Sequence, residues 1–203
     1  MMSFAKAYFD ELQRVSAQID YEVARSMAEP ILRAWLKRGT VYTAGNGGSA
    51  STASHFVADL QKLTIVDGLP RLRALSLSDN IATMTAWSND QSYFDVFVEQ
   101  ARNLVAPQDV VVCISGSGNS DNILRLADYS RSIGATVLGL VGYEGGKLKD
   151  KVDLPLITPS SNMQIIEDLH LAICHMLASY VRSALRRYAD TSELVAVATD
   201  IVK

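Results

Sequence analysis

The sequence predicts an α/β domain in which a central parallel sheet of about five strands is covered by helices on both faces. Three observations support this fold class. Short apolar segments alternate with segments of helical spacing along most of the chain, as in βαβ units. Residues 110–114 form an uninterrupted, mostly β-branched run, which is typical of a strand buried on both faces. Two of the predicted strands, at 40–44 and 110–114, lead directly into glycine-rich loops and then into helices.

Each element follows from its own local pattern. Residues 3–38 carry apolar side chains at helical spacing, and Pro30 is expected to divide them into a long helix and a short one at 31–37. Asp79 is expected to cap a helix that runs to Trp87, and 88–94 is expected to be a loop before a helix that ends near Pro107. The five strands are predicted at 40–44, 72–78, 110–114, 136–141 and 153–157. The other helices are predicted at 49–61, 120–132 and 163–188, with a short helix before the last strand.

The length of 203 residues fits a single domain with a substantial core. Within it, 1–38 is interpreted as an N-terminal helical oligomerisation segment, because a long amphipathic helix needs a partner surface. Residues 39–189 form the α/β core, and 190–203 form a C-terminal tail with a weak helical pattern. We expect one domain throughout.

Composition excludes several classes of protein. Hydrophobic residues make up 48% of the chain, charged residues 20%, and no apolar run approaches the length of a membrane span. No secretory signal is visible at the N-terminus. A net charge of −3 without charged blocks gives no case for nucleic acid or an anionic membrane as partner. Cys113 and Cys174 fall inside predicted elements, so we expect them to be buried and reduced, as in a cytoplasmic protein.

The two glycine-rich loops, at 45–49 and 115–120, are candidate phosphate sites. Free N–H groups at a helix start and the helix dipole attract anions, and the serine hydroxyls add donors. In an open parallel sheet both loops should lie at the carboxyl edge of the strands. The alternative interpretation is that they are only tight strand-to-helix turns. Neither has the pattern of a Walker loop or of a dinucleotide-binding fingerprint.

A possible metal site involves two predicted helices. His55 and Asp59 are four residues apart and therefore share a helical face. Glu167 and His175 lie about 12 Å apart along the last helix, so they would bind one ion only if long side chains converge or a neighbouring subunit supplies one. Imidazole and carboxylate ligands suit zinc or a similar divalent cation. The alternative is that these histidines are merely hydrogen-bonded on partly buried faces.

Five segments together resemble the sugar isomerase (SIS) domain family and, more closely, the phosphoheptose isomerases within it. They are GNGGSASTASHF (45–56), SNDQSYFDVF (88–97), ISGSGNSDNIL (114–124), GLVGYEGGKL (139–148) and IIEDLHLAICHML (165–177). The resemblance extends from the first helix to about residue 185. It implies a flavodoxin-like three-layer sandwich, a homotetramer with active sites at subunit junctions, and interconversion of sedoheptulose 7-phosphate with D-glycero-D-manno-heptose 7-phosphate, a step of heptose biosynthesis.

The resemblance also implies roles for particular residues. Asp59, or else Glu167, would be the base, and His175 would be the acid. Phosphate binding falls to Ser115, Gly116, Ser117 and Ser120, sugar binding to Asn46, Gly47, Gly48, Asn89, Asp90 and Glu167, and zinc binding to His55, Asp59, Glu167 and His175. His170 is expected to be structural.

Two positions depart from the family pattern. Asp59 stands where the family usually has a glutamate, and Glu167 stands where it usually has a glutamine. Shortening the first side chain by one methylene can misplace a proton-transfer group, although Glu167 supplies a second carboxylate. Two other functions therefore stay open: a non-catalytic SIS protein, resembling the DnaA-initiator-associating protein, and a sugar-phosphate-binding sensor. An isomerase acting on a different ketose phosphate is a further possibility.

Overall fold

The computed structural model describes residues 3–191, which fold around one five-stranded parallel sheet. The strands stand in the order β2-β1-β3-β4-β5, and every neighbouring pair is parallel. This is the flavodoxin-like order, so the predicted fold class is confirmed. The strands are β1 Thr40–Gly45, β2 Arg73–Ser76, β3 Val110–Ser115, β4 Thr136–Gly142 and β5 Leu154–Thr158.

Among residues 3–191, eight α-helices surround the sheet in two layers. The helices that follow β1 and β5, together with the N-terminal helices, cover one face, and those that follow β2 and β3 cover the other. A single 3₁₀ turn, Leu148–Asp150, precedes β5. The helices are α1 Phe4–Ser16, α2 Tyr21–Ser26, α3 Ala28–Leu36, α4 Gly48–Lys62, α5 Ile81–Asp90, α6 Val98–Leu104, α7 Asp121–Ser132 and α8 Met163–Asp190.

The central strand β3 shows why its sequence does not alternate between apolar and polar residues. Val112 and Ile114 pack into the core under α4 and α8, whereas Val111 and Cys113 pack into the core under α7. Both faces are buried, so every position from Val110 to Ile114 is apolar. Cys113 and Cys174 are both free and buried, and burial raises the pKa of the Cys113 thiol to about 12.

The N-terminal segment differs from the prediction. It forms three helices rather than two, because the Asp20 side chain accepts hydrogen bonds from the N–H groups of Glu22 and Val23 and so begins α2. Pro30 does not break a helix: it lies in the first turn of α3, where its missing N–H costs nothing. The Tyr8 hydroxyl donates to Asp168 at 2.7 Å and joins α1 to α8. The role of this segment in oligomerisation stays a prediction.

The helix after β2 also begins later than predicted. Asn80, rather than Asp79, caps α5 by accepting a hydrogen bond from the N–H of Thr83. The helix then continues through Asn89 and Asp90, which were expected in a loop. These two candidate sugar-binding residues are therefore held on the last helical turn. The tail at 192–203, including the predicted weak helix, lies outside the described residues.

The two edges of the sheet have different chemistry. At the amino edge, buried Asp109 accepts from the N–H of Thr40 and the N–H of Ala106, each at 2.7 Å, and so ties β1 to the segment before β3. At the carboxyl edge, the connections from β1 and β3 diverge in opposite directions, which creates a crevice.

None of the helices in residues 3–191 combines the length and the apolar character that a membrane span requires.

His170 is buried in α8, and among residues 3–191 neither ring nitrogen has a hydrogen-bond partner of ordinary geometry. Burial lowers the pKa of His170 to about 4, and the nearby backbone of Val141 offsets only part of this effect. Below pH 6.5 the unfolded chain binds a proton at this residue that the folded chain does not. His170 therefore makes the fold less stable as the pH falls from about 6.5 to 4, by up to about 3 kcal/mol.

We expect the substitution His170→Leu to flatten this part of the pH dependence. The measurement is urea unfolding of the full chain at pH 7, 6, 5 and 4, compared between wild type and variant. As the pH falls from 6.5 to 4, the free energy of unfolding of wild type should decrease relative to that of the variant, whichever of the two is more stable at pH 7. Parallel curves would contradict the assignment of this acid sensitivity to His170.

Candidate functional site

The loops that follow β1 and β3 lie side by side at the carboxyl edge. Gly45 pairs with Ile114 at the ends of the strands, so both loops open into the same crevice. Their amide side chains join them: Asn46 Nδ2 donates to Asn122 Oδ1 at 2.9 Å, and Asn122 Nδ2 donates to Asn46 Oδ1 at 3.0 Å. Tyr93, in the loop between α5 and α6, donates its hydroxyl to Asn46 Oδ1 at 2.8 Å. Three segments thus meet at Asn46.

The glycine-rich loop at 115–120, called the serine loop below, has hydrogen-bond donors that no protein group within residues 3–191 uses. The hydroxyls of Ser115 and Ser120 lie 3.4 Å apart, and the Ser120 hydroxyl does not cap α7. Within the described chain, the backbone N–H groups of Gly116, Ser117 and Ser120 donate to no other protein group. N–H groups and hydroxyls at a helix start can bind a phosphate. The predicted phosphate residues therefore lie together in a suitable arrangement.

The turn after β4 holds this loop in place. Gly118 has a φ of +63°, and a side chain there would collide with the backbone of Gly145. The N–H of Leu148 donates to the Gly118 carbonyl at 2.9 Å, and the N–H of Lys147 donates to Asn119 Oδ1 at 3.1 Å. These contacts therefore hold the serine loop in one conformation without the help of a ligand.

Two parallel helices, α4 and α8, carry the candidate catalytic side chains. His55 Nε2 and His175 Nε2 lie 3.3 Å apart. Asp59 Oδ2 lies 3.9 Å from the first of these nitrogens and 3.7 Å from the second. Both imidazoles are about half exposed, whereas the Asp59 side chain is 22% exposed. The structure therefore brings together three of the four predicted metal ligands.

These three side chains fit a divalent cation. Asp59 Oδ2 is buried and, within residues 3–191, has no hydrogen-bond partner, which is costly for a carboxylate oxygen unless a cation compensates it. The 3.3 Å between the imidazole nitrogens is close to the spacing, about 3.3 Å, of two nitrogens bound to one tetrahedral zinc ion at roughly 2.0–2.1 Å. The three ligand atoms lie within 4.8 Å of one another, so the cluster can hold a metal ion.

Glu167, predicted as the fourth metal ligand, does not join this cluster. It stands eight residues before His175 on α8, a rise of about 12 Å, and its carboxylate lies against Gly48 at the start of α4. A methyl group on Gly48 would have to displace that carboxylate. Within one chain, Glu167 thus lies beside the 45–49 loop rather than in the His–Asp cluster.

The remaining candidates are placed unevenly. Asn46, Gly47 and Gly48 border the crevice, whereas the side chains of Asn89 and Asp90 are exposed and bond to each other at 2.9 Å. Tyr93 and Asn122 were not predicted, although both belong to polar segments that the sequence singled out. Their hydrogen bonds join residues 47 and 76 positions apart, and no local pattern reveals such a pairing.

The fold and the site define a class of protein: a doubly wound α/β domain with two glycine-rich loops at its switch point and a His–Asp cluster on the adjoining helices. A profile of the SIS domain matches residues 4–142, and the chain belongs to the SIS domain family. Its similarity to the relatives below places it with the phosphoheptose isomerases of that family.

Two curated relatives and one solved structure illustrate the similarity. A phosphoheptose isomerase of Trichlorobacter lovleyi is 34% identical over 91% of this chain and 95% of its own length. A lincomycin biosynthesis protein of Streptomyces lincolnensis is 35% identical over 87% of this chain and 68% of its own length. The structure of a phosphoheptose isomerase from Neisseria gonorrhoeae, 30% identical, superposes with a TM-score of 0.82 over 88% of this chain and 97% of that one.

Proposed function

We propose that the protein is an aldose–ketose isomerase that converts sedoheptulose 7-phosphate to D-glycero-D-manno-heptose 7-phosphate. The observation that carries this proposal is the His55–Asp59–His175 cluster, which lies between α4, the helix that begins at the 45–49 loop, and α8. Relatives named phosphoheptose isomerase support the choice of substrate. The cluster lies about two helical turns, roughly 10 Å, from the start of α4, so a ligand that reaches both the loop and the cluster must be extended.

The reaction moves a proton between C1 and C2 through an enediol. It needs a base, an acid and an anchor for the phosphate. We assign the anchor to Ser115, Gly116, Ser117 and Ser120, which supply hydroxyls and free N–H groups. Contacts to the sugar chain are assigned to Asn46, Gly47, Gly48, Asn89, Asp90 and Glu167.

Asp59 is the better candidate for the base. Its carboxylate lies 3.7 Å from His175 Nε2, so a carboxylate that acts on carbon and an imidazole that acts on oxygen can reach the same substrate. Oδ2 faces the imidazoles, whereas Oδ1 is neither buried nor hydrogen-bonded among residues 3–191 and is free to accept a proton. Glu167 lies at the loop, where it is suited to bind sugar hydroxyls. It becomes the base only if the subunit arrangement brings it to the cluster.

Zinc, or a similar divalent cation, is the proposed cofactor. His55, Asp59 and His175 would hold it, and Glu167 of a neighbouring subunit is a candidate for a fourth ligand. A bound zinc ion would act as a Lewis acid that polarises the substrate carbonyl and stabilises the developing oxyanion. With Nε2 on the ion, His175 would retain only its Nδ1–H as a proton to return to the oxygen; without an ion, Nε2 could also serve.

The assembly and the compartment are also proposals. We propose a homotetramer with active sites at subunit junctions, supported by the exposed aromatic side chains of Phe4 and Phe9 on α1. We propose a cytoplasmic location, supported by two free, buried cysteines. No nucleic acid or membrane partner is proposed.

Two other functions use the same fold. A non-catalytic SIS protein would work through protein contacts, but the close approach of His55, Asp59 and His175 favours an enzyme. A sugar-phosphate sensor would need only the serine loop. One similar protein is named for lincomycin biosynthesis and not as a phosphoheptose isomerase, so other ketose phosphates stay among the candidate substrates.

The test is an assay of purified protein with sedoheptulose 7-phosphate and shorter and longer ketose phosphates, with and without added zinc. We expect zinc-dependent aldose formation, fastest with the seven-carbon substrate. Binding of a ketose phosphate without turnover would instead support the sensor. If the protein neither binds nor converts any ketose phosphate, the result would support the non-catalytic protein.

A further inference from the structure

The phenol of Tyr93 lies at the mouth of the crevice, beside a residue of the proposed sugar loop. Its hydroxyl is 2.8 Å from Asn46 Oδ1, and the residue is 49% exposed. None of the functions considered above assigns it a role. Its position raises the question of which ligand group can donate a hydrogen bond to its oxygen.

The hydrogen-bond network assigns a direction to each bond. The backbone N–H of Ile123 can only donate, and it is shared between the Ser120 carbonyl and Asn122 Oδ1, each at 3.0 Å. With Asn122 Oδ1 accepting from this N–H, Asn122 Nδ2 is the group that donates to Asn46 Oδ1. Since Asn46 Oδ1 can only accept, the Tyr93 proton points towards Asn46.

This leaves Tyr93 with lone pairs and no proton for a ligand. A phenol oxygen in this state accepts a hydrogen bond from a hydroxyl group but repels the oxygens of a phosphate or a carboxylate, which also only accept. The serine loop, in contrast, offers several donors to an anion. The two sides of the crevice thus have opposite preferences.

The loop that carries Tyr93 is fixed to α7. Asp95, two residues further on, forms an ion pair with Arg125, and the Arg125 guanidinium lies over the Phe94 ring at 5.5 Å from its centre. Hydrogen bonds from Ser92 and Arg125 lower the pKa of the Asp95 carboxyl and so keep it charged. The phenol is therefore presented in a defined position rather than on a loose loop.

We propose that Tyr93 is a substrate-binding residue whose oxygen accepts a hydrogen bond from a hydroxyl of the sugar chain and so sets the direction in which the sugar phosphate lies. This inference rests on the proposed isomerase function. It adds a contact on the hydroxyl-bearing part of the substrate, and the serine loop remains the phosphate anchor.

The test compares Tyr93→Phe with wild type. Loss of one neutral hydrogen bond should raise KM for sedoheptulose 7-phosphate about fivefold and leave kcat within about twofold. The inhibition constant of inorganic phosphate should not change, because the serine loop is intact. Tyr129→Phe, which removes a hydroxyl from a tyrosine packed under Arg102, is the matched control and should leave both parameters unchanged.

Monodeoxy sugar phosphates, used as competitive inhibitors, separate a direct contact from an effect through Asn46. One analogue should bind about fivefold more weakly than its parent to wild type, and equally well as its parent to Tyr93→Phe. An unchanged KM, or equal losses in both proteins for every analogue, would overturn the role of Tyr93. A wild type that turns over no ketose phosphate would overturn the isomerase function and this inference together.

Discussion

Replacing Asp59 with asparagine is expected to lower kcat for sedoheptulose 7-phosphate by about a hundredfold to ten-thousandfold. This is the usual contribution of a positioned base, and asparagine keeps the shape of the side chain while removing its basicity. Rates should be measured at saturating substrate, with the zinc content of each preparation determined in parallel. The loss should persist when zinc is added to saturation.

Glu167→Gln is the matched comparison, since it neutralises the other carboxylate without changing its size. We expect KM to rise about tenfold and kcat to change much less, because Glu167 lies beside Gly48 and away from the His–Asp cluster. The reverse pattern, with kcat lost in Glu167→Gln and retained in Asp59→Asn, would assign the base to Glu167. A double variant, Asp59→Glu with Glu167→Gln, restores the usual family pair and should be active.

Replacing His175 with alanine is expected to abolish stable zinc binding and to lower kcat/KM by at least about a thousandfold. The imidazole is one of three side chains that converge on one point, and truncating it removes one of the two nitrogen ligands beside the buried Asp59 Oδ2. The measurements are zinc per subunit by elemental analysis, and turnover before and after dialysis against a chelator.

Wild type should lose activity with the chelator and recover it with zinc, whereas His175→Ala should not recover. Met176→Leu, on the exposed side of the same helical turn, serves as the control and should behave as wild type. Retention of full turnover by His175→Ala would contradict the assignment of both its roles.

The strands could be predicted because each is an apolar run bounded by polar turns, and the order of the elements limits the topology. The errors in the fold came from competing local signals. Pro30 can end a helix or occupy its first turn, and the break at Met27, which ends α2 and begins α3, places it in a first turn. Asp79 and Asn80 are both good caps, and the structure uses the second.

The site could be predicted only in part. The spacing of His55 and Asp59 placed both on one helical face, but their contact with His175 depends on how α4 and α8 pack. The rise of about 12 Å between Glu167 and His175 already indicated that one chain does not bring both to one ion, and Glu167 entered the ligand set only through the family resemblance. The Asn46–Asn122 pair and the bond from Tyr93 arise from three distant segments that meet at the sheet edge, so spacing along the chain carries no information about them.

The buried carboxylate of Asp109 lies at the end of the sheet opposite the ligand loops. Its two hydrogen bonds to backbone N–H groups anchor the beginnings of β1 and β3, the same strands whose other ends carry the two loops. Stability and the proposed ligand binding therefore depend on opposite ends of the same pair of strands. We expect substitutions at the amino edge to change thermal stability while the proposed sugar-phosphate site keeps its geometry. Substitutions in the two loops should change substrate selectivity without disturbing the hydrogen bonds of Asp109.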